Sequence, residues 1–295
     1  MSGRSVFRRG RLALVAALAL AAGALGLWTG LGEQSTAQAA AGVPTPDHVI
    51  IAVMENHAYS QVVGSSSAPY INSLAKGGAN LTQSYAETHP SQPNYMAMFS
   101  GSTQGITSDA CYTPGFSSAP NLASQLIAAG KSWGSYNETL PSQGSTTCNS
   151  GDYARKHNPW FGFSNVPTSS AKTFSQFPSD FTQLPQVSYV VPNLCSDMHD
   201  CSVATGDTWL KNNLGAYATW AKTHNSLLVV TFDEDNSLSG NRIPTVFYGQ
   251  QVTPGATSST RYNHYDLLRT LEDMHGLGYA GNAASGKDIT GIWTS

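Results

Sequence analysis

Three groups of acidic, amide and histidine side chains in this chain could bind metal ions. Each group directly follows an apolar run of the length expected for a buried strand. The groups are ENH (55–57) after the run 48–54, PNLCSDMHDC (192–201) after 187–191, and DEDN (233–236) after 227–232. Because ligands of open α/β sheets bind at the carboxyl ends of strands, we expect the three groups to converge. Two metal ions at such a place can flank one phosphate, so the chemistry predicted is phosphoryl transfer.

The candidate ligands combine oxygen and nitrogen donors. They are Glu55, Asn56, Asp233 and Glu234, with Asp197, His199 and His264 in addition. Oxygen donors suit a hard cation such as Mg²⁺ or Ca²⁺, whereas imidazoles suit zinc or iron, so one or two divalent ions of undecided identity are predicted. The acidic run 233–235 has the alternative interpretation of a solvated turn, but Asp233 follows an apolar run immediately. For His264 the alternative is a surface histidine that begins a helix.

A serine stands where a polar segment runs into a predicted helix, in ETHPSQPNYMAMFSG (87–101). The first amides of a helix have no partners within it and the helix dipole is positive there, so an anion can bind. Pro93 is tolerated in a first turn because its missing N–H would be unpaired anyway. Ser91 is therefore either a helix cap or a nucleophile whose attacked anion rests on those amides.

The elements that must position these residues alternate along the chain. Strands are predicted at 48–54, 131–136, 187–191, 227–232 and 244–249, and helices at 68–78, 119–131, 208–223 and 264–277. This order indicates an α/β fold with a central, mostly parallel sheet flanked by helices. Residues 40–295 are predicted to form a single catalytic domain. The polar, Pro/Ser-rich stretch 141–185 is predicted to be an insertion over the active-site edge of the sheet.

The first 39 residues are predicted to be a signal peptide, so the protein is expected to be secreted. MSGRSVFRRGR carries four arginines, an apolar stretch follows, and AQA at 37–39 offers a small-residue cleavage site. The pair Arg8–Arg9 is compatible with twin-arginine export. The apolar stretch is short for a membrane span and no cysteine lies nearby, so no stable membrane anchor is expected.

The remaining chain is mildly acidic. Removing four arginines and Glu33 with the signal peptide changes the formal charge from −3 to −6. Such a balance excludes a general affinity for nucleic acid or for an anionic membrane. A substrate phosphate would then need local cations, either metal ions or a few basic residues.

Four cysteines are present, and an even number in an exported protein indicates disulfides. Cys195 and Cys201 are close enough in sequence to close a small loop, and Cys111–Cys148 would then be the second bridge. The alternative is a metal site, which the absence of a CxxC pair disfavours.

Four motifs in order resemble the phosphoesterase family that includes secreted bacterial acid phosphatases and phospholipases C. They are VMENHAYSQVVG, THPSQPNYMAMFSG, TFDEDN and YNHYDLLRTLEDMHGL. The resemblance covers most of residues 47–280, and the family belongs to the alkaline phosphatase superfamily. It implies an alkaline-phosphatase-like sandwich and the hydrolysis of phosphoric ester bonds.

The resemblance also implies roles for individual residues. Ser91 corresponds to the nucleophile, also a metal contact, and Asn94 to a contact of a phosphate oxygen. The implied metal ligands are Glu55, Asn56, Asp233, Glu234 and His264, with Asp197 and His199 chosen from the middle group and Asn193 and Asp200 as substitutes. RKHNPW (155–160) is similar to a segment of the acid phosphatases and would place Lys156 and His157 near the phosphate.

The resulting hypothesis is a secreted phosphomonoesterase of the acid phosphatase type that acts through a phosphoserine intermediate on a small phosphate ester. Ser91 and Tyr95 stand where the related sulfatases have a modified cysteine and an arginine, which disfavours sulfate esters. One alternative is a phospholipase C that binds a phospholipid head group. Trp160, Phe161 and Phe163 would then contact acyl chains, or else simply pack onto the sheet. An alternative of another class is a non-catalytic protein that binds phosphate or metal.

Overall fold

The computed structural model describes residues 42–294, so the signal peptide predicted at 1–39 lies outside the described residues. The strands of this part of the chain are β1 (His48–Met54), β2 (Ala79–Leu81), β3 (Ser84–Tyr85), β4 (Trp133–Asn137), β5 (Asn149–Ser150), β6 (Tyr153–Ala154), β7 (Ala171–Thr173), β8 (Val187–Val191), β9 (Ser226–Phe232), β10 (Arg242–Ile243), β11 (Thr245–Gly249), β12 (Ala256–Ser258) and β13 (Tyr262–Asn263). The α-helices are α1 (Tyr59–Val62), α2 (Pro69–Gly77), α3 (Ser91–Ser100), α4 (Leu122–Ala128), α5 (Val203–Ala221) and α6 (His264–Met274). Among these helices, none has the length and hydropathy that a membrane span requires.

Eight strands form a central sheet in the order β12-β2-β11-β9-β1-β8-β4-β7. Most neighbours are parallel, and only β11 runs antiparallel to the strands beside it. At the centre, β9, β1 and β8 lie side by side and point the same way, with Met54 of β1 paired to Phe232 of β9. The carboxyl ends of these three strands therefore meet at one edge, as their sequences predicted.

Both faces of the central sheet are buried. Successive side chains of a strand point to opposite faces, so each central strand contributes to two cores. On β1, Val49 and Val53 belong to one apolar core, which α3, α4 and α6 cover. Ile50 and Met54 belong to the other core, which α2 and α5 cover. A sheet covered on both faces needs continuous apolar strands, which explains why these runs could be identified in the sequence. The fold is thus the helix–sheet–helix sandwich that was predicted.

A second sheet of three short strands, in the order β10-β3-β13, leads into two of the helices. β3 precedes α3 by a short segment, and β13 runs directly into α6. Strands of two residues carry no periodicity in sequence, so this sheet was not predicted. It matters because it fixes where both of these helices begin.

The five predicted strands and four predicted helices are all present, with shifted ends. The largest shift is in α5, which begins at Val203 rather than at 208. Ser202 caps it, because its hydroxyl accepts a hydrogen bond from the amide of Thr205. Thr205, Gly206 and Asp207 near the start of this helix have low helix propensity, so the sequence placed the start later.

Part of the stretch 141–185 belongs to the central sheet itself. β7 lies within it and pairs with β4 as the last strand of the central sheet. Trp160, Phe161 and Phe163 are buried in the core that contains α3. The structure shows that these aromatic residues pack in the core, so they are not available to contact acyl chains.

Candidate active site

The three polar groups that follow β1, β8 and β9 converge at the carboxyl edge of the central sheet. Backbone hydrogen bonds join them, from the Glu55 amide to the Asp197 carbonyl at 2.8 Å and from the Asp233 amide to the Met54 carbonyl at 3.1 Å. The Asn56 amide donates to Oδ1 of Asp233 at 3.0 Å. Three carboxylates from distant parts of the sequence are thereby held at one place.

Ser91 is the first residue of α3, and its hydroxyl points at carboxylates rather than at amides. Oγ donates to Oε2 of Glu55 at 2.9 Å and lies 3.1 Å from Oε1 of Glu234. The residue before the helix is Pro90, whose own side chain makes no capping hydrogen bond. The hydroxyl of Ser91 therefore makes no capping hydrogen bond, which argues against the helix-cap interpretation.

Glu55, His157 and Asp197 form a buried cluster. His157 lies between the two carboxylates, with Nε2 3.0 Å from Oε1 of Glu55 and Nδ1 3.2 Å from Oδ2 of Asp197. Donor atoms of all three residues lie within 4.8 Å of one another. Tyr95 covers this cluster, because its ring stacks on His157 with centroids 4.9 Å apart and its hydroxyl donates to Oε1 of Glu55 at 2.6 Å.

Burial and mutual repulsion shift the ionisation of these groups. Burial, with the charges of Asp233 and Asp197 in addition, raises the pKa of Glu55 well above its usual range. Burial raises the pKa of Asp197 to about 8 and that of Glu234 to about 7. Burial also lowers the pKa of His157 well below its usual range, so the imidazole is neutral. Carboxylates that cannot all be charged beside a neutral imidazole are a set that a cation would stabilise.

The unsatisfied atoms of the cluster test whether a cation fits there. Nε2 of His157, Oδ2 of Asp197 and Oδ2 of Asp233 are buried and have no hydrogen-bond partner. A neutral imidazole carries one N–H, so it cannot donate to both of the carboxylates that face it. Buried polar atoms are normally paired, and a divalent cation held by Glu55, His157 and Asp197 would satisfy the atoms of His157 and Asp197. The residues present therefore fit the metal that the sequence predicted.

His89 forms a second contact group on the more exposed side of Ser91. Its Nδ1 lies 2.6 Å from Oε2 of Glu234 and its Nε2 lies 3.3 Å from Oδ1 of Asp235. Oδ1 and Oδ2 of Asp235 also accept backbone amides of the loop that follows, at Ser237, Ser239 and Asn241. Glu234 is thus held between a histidine and the Ser91 hydroxyl.

Asn94 was predicted to contact a phosphate oxygen, but its side chain is hydrogen-bonded to the backbone. Its Oδ1 accepts the amides of Glu87 and Thr88, and its Nδ2 donates to the carbonyls of Thr88 and Pro90. The side chain is fully buried, and the backbone takes both ends of its amide. Asn94 therefore fixes the segment that leads into Ser91 and has no free donor for a phosphate.

Lys156 and His199 lie together near the cluster. Nζ of Lys156 is 3.3 Å from Nε2 of His199 and 2.9 Å from Oδ2 of Asp109. Oδ1 of Asp109 accepts the Gln92 amide, so Asp109 occupies the start of α3, where the sequence predicted free amides for an anion. Nδ1 of His199 lies 2.7 Å from Oδ1 of Asp200. The donor atoms of the buried cluster come from Glu55, His157 and Asp197, and His199 is not among them.

His264 begins α6 as predicted, and it is buried rather than a surface histidine. Its Nε2 lies 2.6 Å from the carbonyl oxygen of Asp233, and burial lowers its pKa to about 4. Asn56 has a positive φ of 31°, an uncommon backbone conformation that asparagine tolerates better than most residues. Both residues contact the backbone or side chain of Asp233, so the structure brings them to the same edge of the sheet.

Four residues have positions in this site that the sequence did not reveal. His157 was predicted to contact phosphate, but it lies among the candidate metal ligands. His89 and Asp109 were not assigned to the site, and Tyr95 was considered only as standing in the place of the sulfatase arginine. Each reaches it through side-chain contacts between distant segments, for which a single sequence offers no signal.

Both predicted disulfides are formed. Cys111 is joined to Cys148, and Cys195 to Cys201. The second bridge closes the short loop that contains Asp197 and His199, where the amide of His199 donates to Oδ1 of Asp197 at 2.8 Å.

Replacing both Cys195 and Cys201 with serine is expected to lower the free energy of unfolding by about 2–3 kcal/mol. It should also weaken metal binding, because the bridge limits how far Asp197 can move. Calorimetry and titration with a competing chelator measure the two quantities. The matched control replaces Cys111 and Cys148, whose loop contains none of the candidate ligands, and should lower stability alone. Equal loss of metal affinity in both double variants would contradict this role of the bridge.

Comparison with known proteins gives matches over most of the chain. The sequence profile of the Phosphoesterase family matches residues 65–278. A phosphatidylinositol-3-phosphatase of Mycobacterium tuberculosis is 51% identical over 276 residues, which are 93% of this chain and 91% of that protein. An acid phosphatase of Aspergillus fumigatus is 30% identical over 81% of this chain, but the match spans only 57% of the fungal protein.

Solved structures share the fold at low sequence identity. A protein of the alkaline phosphatase superfamily from Vibrio parahaemolyticus superposes with a TM-score of 0.58 at 14% identity, over 84% of this chain and 71% of the other. A phosphonate monoester hydrolase from Silicibacter pomeroyi gives 0.56 at 12% identity, over 82% and 76%. These similarities confirm the alkaline-phosphatase-like sandwich predicted from the sequence.

Proposed function

This chain belongs to the phosphoesterase family and is a hydrolase of phosphate esters, and from that premise we propose that it is a secreted, metal-dependent phosphomonoesterase with Ser91 as its nucleophile. The observation that carries the proposal is the position of the Ser91 hydroxyl, buried between Oε2 of Glu55 and Oε1 of Glu234. A hydroxyl with no capping bond and two carboxylate neighbours can lose its proton as it attacks phosphorus.

The residues around Ser91 have complementary parts in the proposed reaction. Glu55 and Glu234 both lie within hydrogen-bonding distance of the Ser91 hydroxyl, and Glu234, whose pKa burial raises to about 7, is the group suited to accept its proton near neutral pH. Attack by Oγ would form a phosphoserine and expel the alcohol, after which water releases phosphate. Lys156 supplies positive charge beside the start of α3, where it now pairs with Asp109.

Glu55, His157, Asp197 and Asp233 would hold the cation. When bound, it supplies positive charge that favours the ionised hydroxyl and offsets charge on the phosphoryl oxygens. Tyr95 keeps Glu55 and His157 in place by hydrogen bonding and stacking. The same groups exclude water from the inner side of Ser91, because all of them are buried.

The candidate substrate is phosphatidylinositol 3-phosphate or another phosphate monoester of a polyol. The relative from Mycobacterium tuberculosis is named for phosphatidylinositol 3-phosphatase activity, and it matches this chain over nearly its whole length. A phospholipase C activity has less support, because the aromatic residues that were candidates for acyl contact are buried in the core.

Parallel assays of p-nitrophenyl phosphate and p-nitrophenylphosphorylcholine test the proposal. The monoester is expected to have a kcat/KM higher by about tenfold or more, which corresponds to about 1.4 kcal/mol in the transition state. A preference for the diester would favour the phospholipase C. Binding of phosphate or metal without turnover of either ester would show a non-catalytic protein.

A further inference from the structure

A cavity of about 420 Å³ lies between the small three-stranded sheet and the start of α6. Its walls include Tyr85 and Glu87 on one side, and Arg261, Tyr262 and Lys287 on the other. None of these residues belongs to the candidate ligand set or to the groups around the Ser91 hydroxyl. The cavity is therefore a separate feature that the proposed reaction leaves unexplained.

The cavity adjoins the reacting serine. Glu87 lies four positions before Ser91, so their Cα atoms are at most about 14 Å apart even in a fully extended chain. The side chain of Asn94 holds the Glu87 amide, and Oε1 of Glu87 accepts the amide of His264 at 3.1 Å. His264 in turn contacts the Asp233 carbonyl. Hydrogen bonds thus link Glu87 in the cavity wall to Asn94 and His264, which belong to the candidate active site.

Aromatic rings hold the two cations of the cavity. The guanidinium of Arg261 lies 3.5 Å from the ring centroid of Tyr85, and Nζ of Lys287 lies 5.5 Å from that of Tyr262. Such contacts orient a cation without neutralising its charge. Within residues 42–294, neither side chain forms an ion pair with a carboxylate.

Backbone amides already bind the carboxylates that line the cavity. Oδ1 of Asp266 accepts the Lys287 amide at 2.8 Å, and Oδ2 accepts the Asn263 amide at 3.0 Å. Glu87 is bound to the His264 amide in the same way. Of the four charged side chains of the lining, Arg261 and Lys287 are the two without a hydrogen-bond partner in the described part of the chain, and a ligand that pairs with them would be an anion.

We propose that Arg261 and Lys287 bind a second phosphate group of the substrate, so that the enzyme prefers esters of a bisphosphorylated polyol. This inference rests on the proposed function, because it assumes that a first phosphate reacts at Ser91. Arginine and lysine are the residues that recognise phosphate in proteins, and their loss at an exposed site weakens binding more than chemistry. A phosphate of a soluble polyol and the diester of a lipid head group present the same anionic chemistry to these two residues, and the experiment separates the two sources.

The test compares inositol 3-phosphate with inositol 1,3-bisphosphate, with release of inorganic phosphate as the readout. Wild-type protein is expected to have the higher kcat/KM for the bisphosphate. The double variant Arg261→Gln/Lys287→Gln should lose about tenfold in kcat/KM for the bisphosphate, mainly through KM, and less than about twofold for the monophosphate. The control Lys211→Gln removes an exposed lysine of α5, on the other face of the sheet, and should change neither value.

A third substrate, phosphatidylinositol 3-phosphate in phosphatidylcholine vesicles, identifies the source of the second phosphate. Losses with both bisphosphorylated substrates support recognition of the lipid diester as well, and a loss with the soluble one alone supports a soluble polyol. A loss only on vesicles, equal losses on mono- and bisphosphate, or no loss at all would overturn the proposal. If wild-type protein hydrolyses the monophosphate but does not favour the bisphosphate, this inference fails and the proposed function stands. If it hydrolyses no phosphate ester, both fail.

Discussion

Replacing Ser91 with alanine is expected to lower kcat by about 10³-fold or more, because the change removes the atom that attacks phosphorus. The melting temperature should change little. A serine that caps a helix contributes about 1 kcal/mol, but the Ser91 hydroxyl donates to Glu55 and Glu234 and makes no capping bond. Steady-state kinetics and calorimetry on the same preparation measure both quantities.

Two further variants separate the nucleophile from a structural hydroxyl. Ser100→Ala removes a buried hydroxyl from the other end of α3, where it donates to the Met96 carbonyl, and should leave kcat near the wild-type value. Ser91→Thr keeps the hydroxyl and is expected to retain part of the activity if the extra methyl group fits. A folded Ser91→Ala protein with near wild-type turnover would remove Ser91 from the mechanism.

Removal of the metal is expected to lower activity by about 10²-fold or more, since a bound cation supplies several kcal/mol of charge stabilisation to phosphoryl transfer. Activity should return when a divalent ion is added back. The experiment dialyses purified protein against a chelator, measures bound metal by mass spectrometry and assays p-nitrophenyl phosphate before and after reconstitution. Full activity in protein shown to be free of metal would contradict the account.

Asp233→Asn should weaken metal binding while it raises the stability of the metal-free protein. Burial and the neighbouring Glu234 raise the pKa of Asp233 well above its usual range, so its charge is unfavourable when no cation is bound. The control Asp207→Asn changes a buried aspartate that accepts the amides of Tyr70 and Ile71. That variant should lower stability and leave metal affinity unchanged.

The burial of Asp197 predicts how the stability of the metal-free protein depends on pH. The pKa of Asp197 is about 8 in the folded protein against an ordinary 3.8. The unfolded chain therefore releases this proton first, so the stabilising contribution is complete below about pH 4 and is lost as the pH rises toward 8. Metal-free protein should accordingly have a higher melting temperature at pH 5 than at pH 8.

The sequence predicted the central architecture because the strands buried on both faces are continuous apolar runs. β1, β8 and β9 could each be located in this way, and the polar residue that follows each of them lies where parallel strands end together. Glu55 and Asp233 were thus placed correctly at one edge by local sequence and one rule of topology. The family resemblance added the order of the motifs.

Other parts of the site depend on contacts between segments that no local pattern records. His157 enters the buried cluster through the stretch 141–185, whose composition indicated only a polar insertion. Asn94 stands at the expected place, but the backbone of the preceding segment takes its amide, and only the folded chain shows this. Asp109 binds the Gln92 amide from a loop that has no distinguishing motif.

Mass spectrometry of protein quenched in acid during turnover tests the central claim most directly. Wild-type protein mixed with excess p-nitrophenyl phosphate should carry one added phosphate, and peptide fragmentation should place it on Ser91. The Ser91→Ala variant, treated in parallel, should carry none. A phosphate found on another residue, or an active wild-type enzyme that never becomes phosphorylated under conditions in which alcohol release outpaces phosphate release, would contradict Ser91 as the nucleophile.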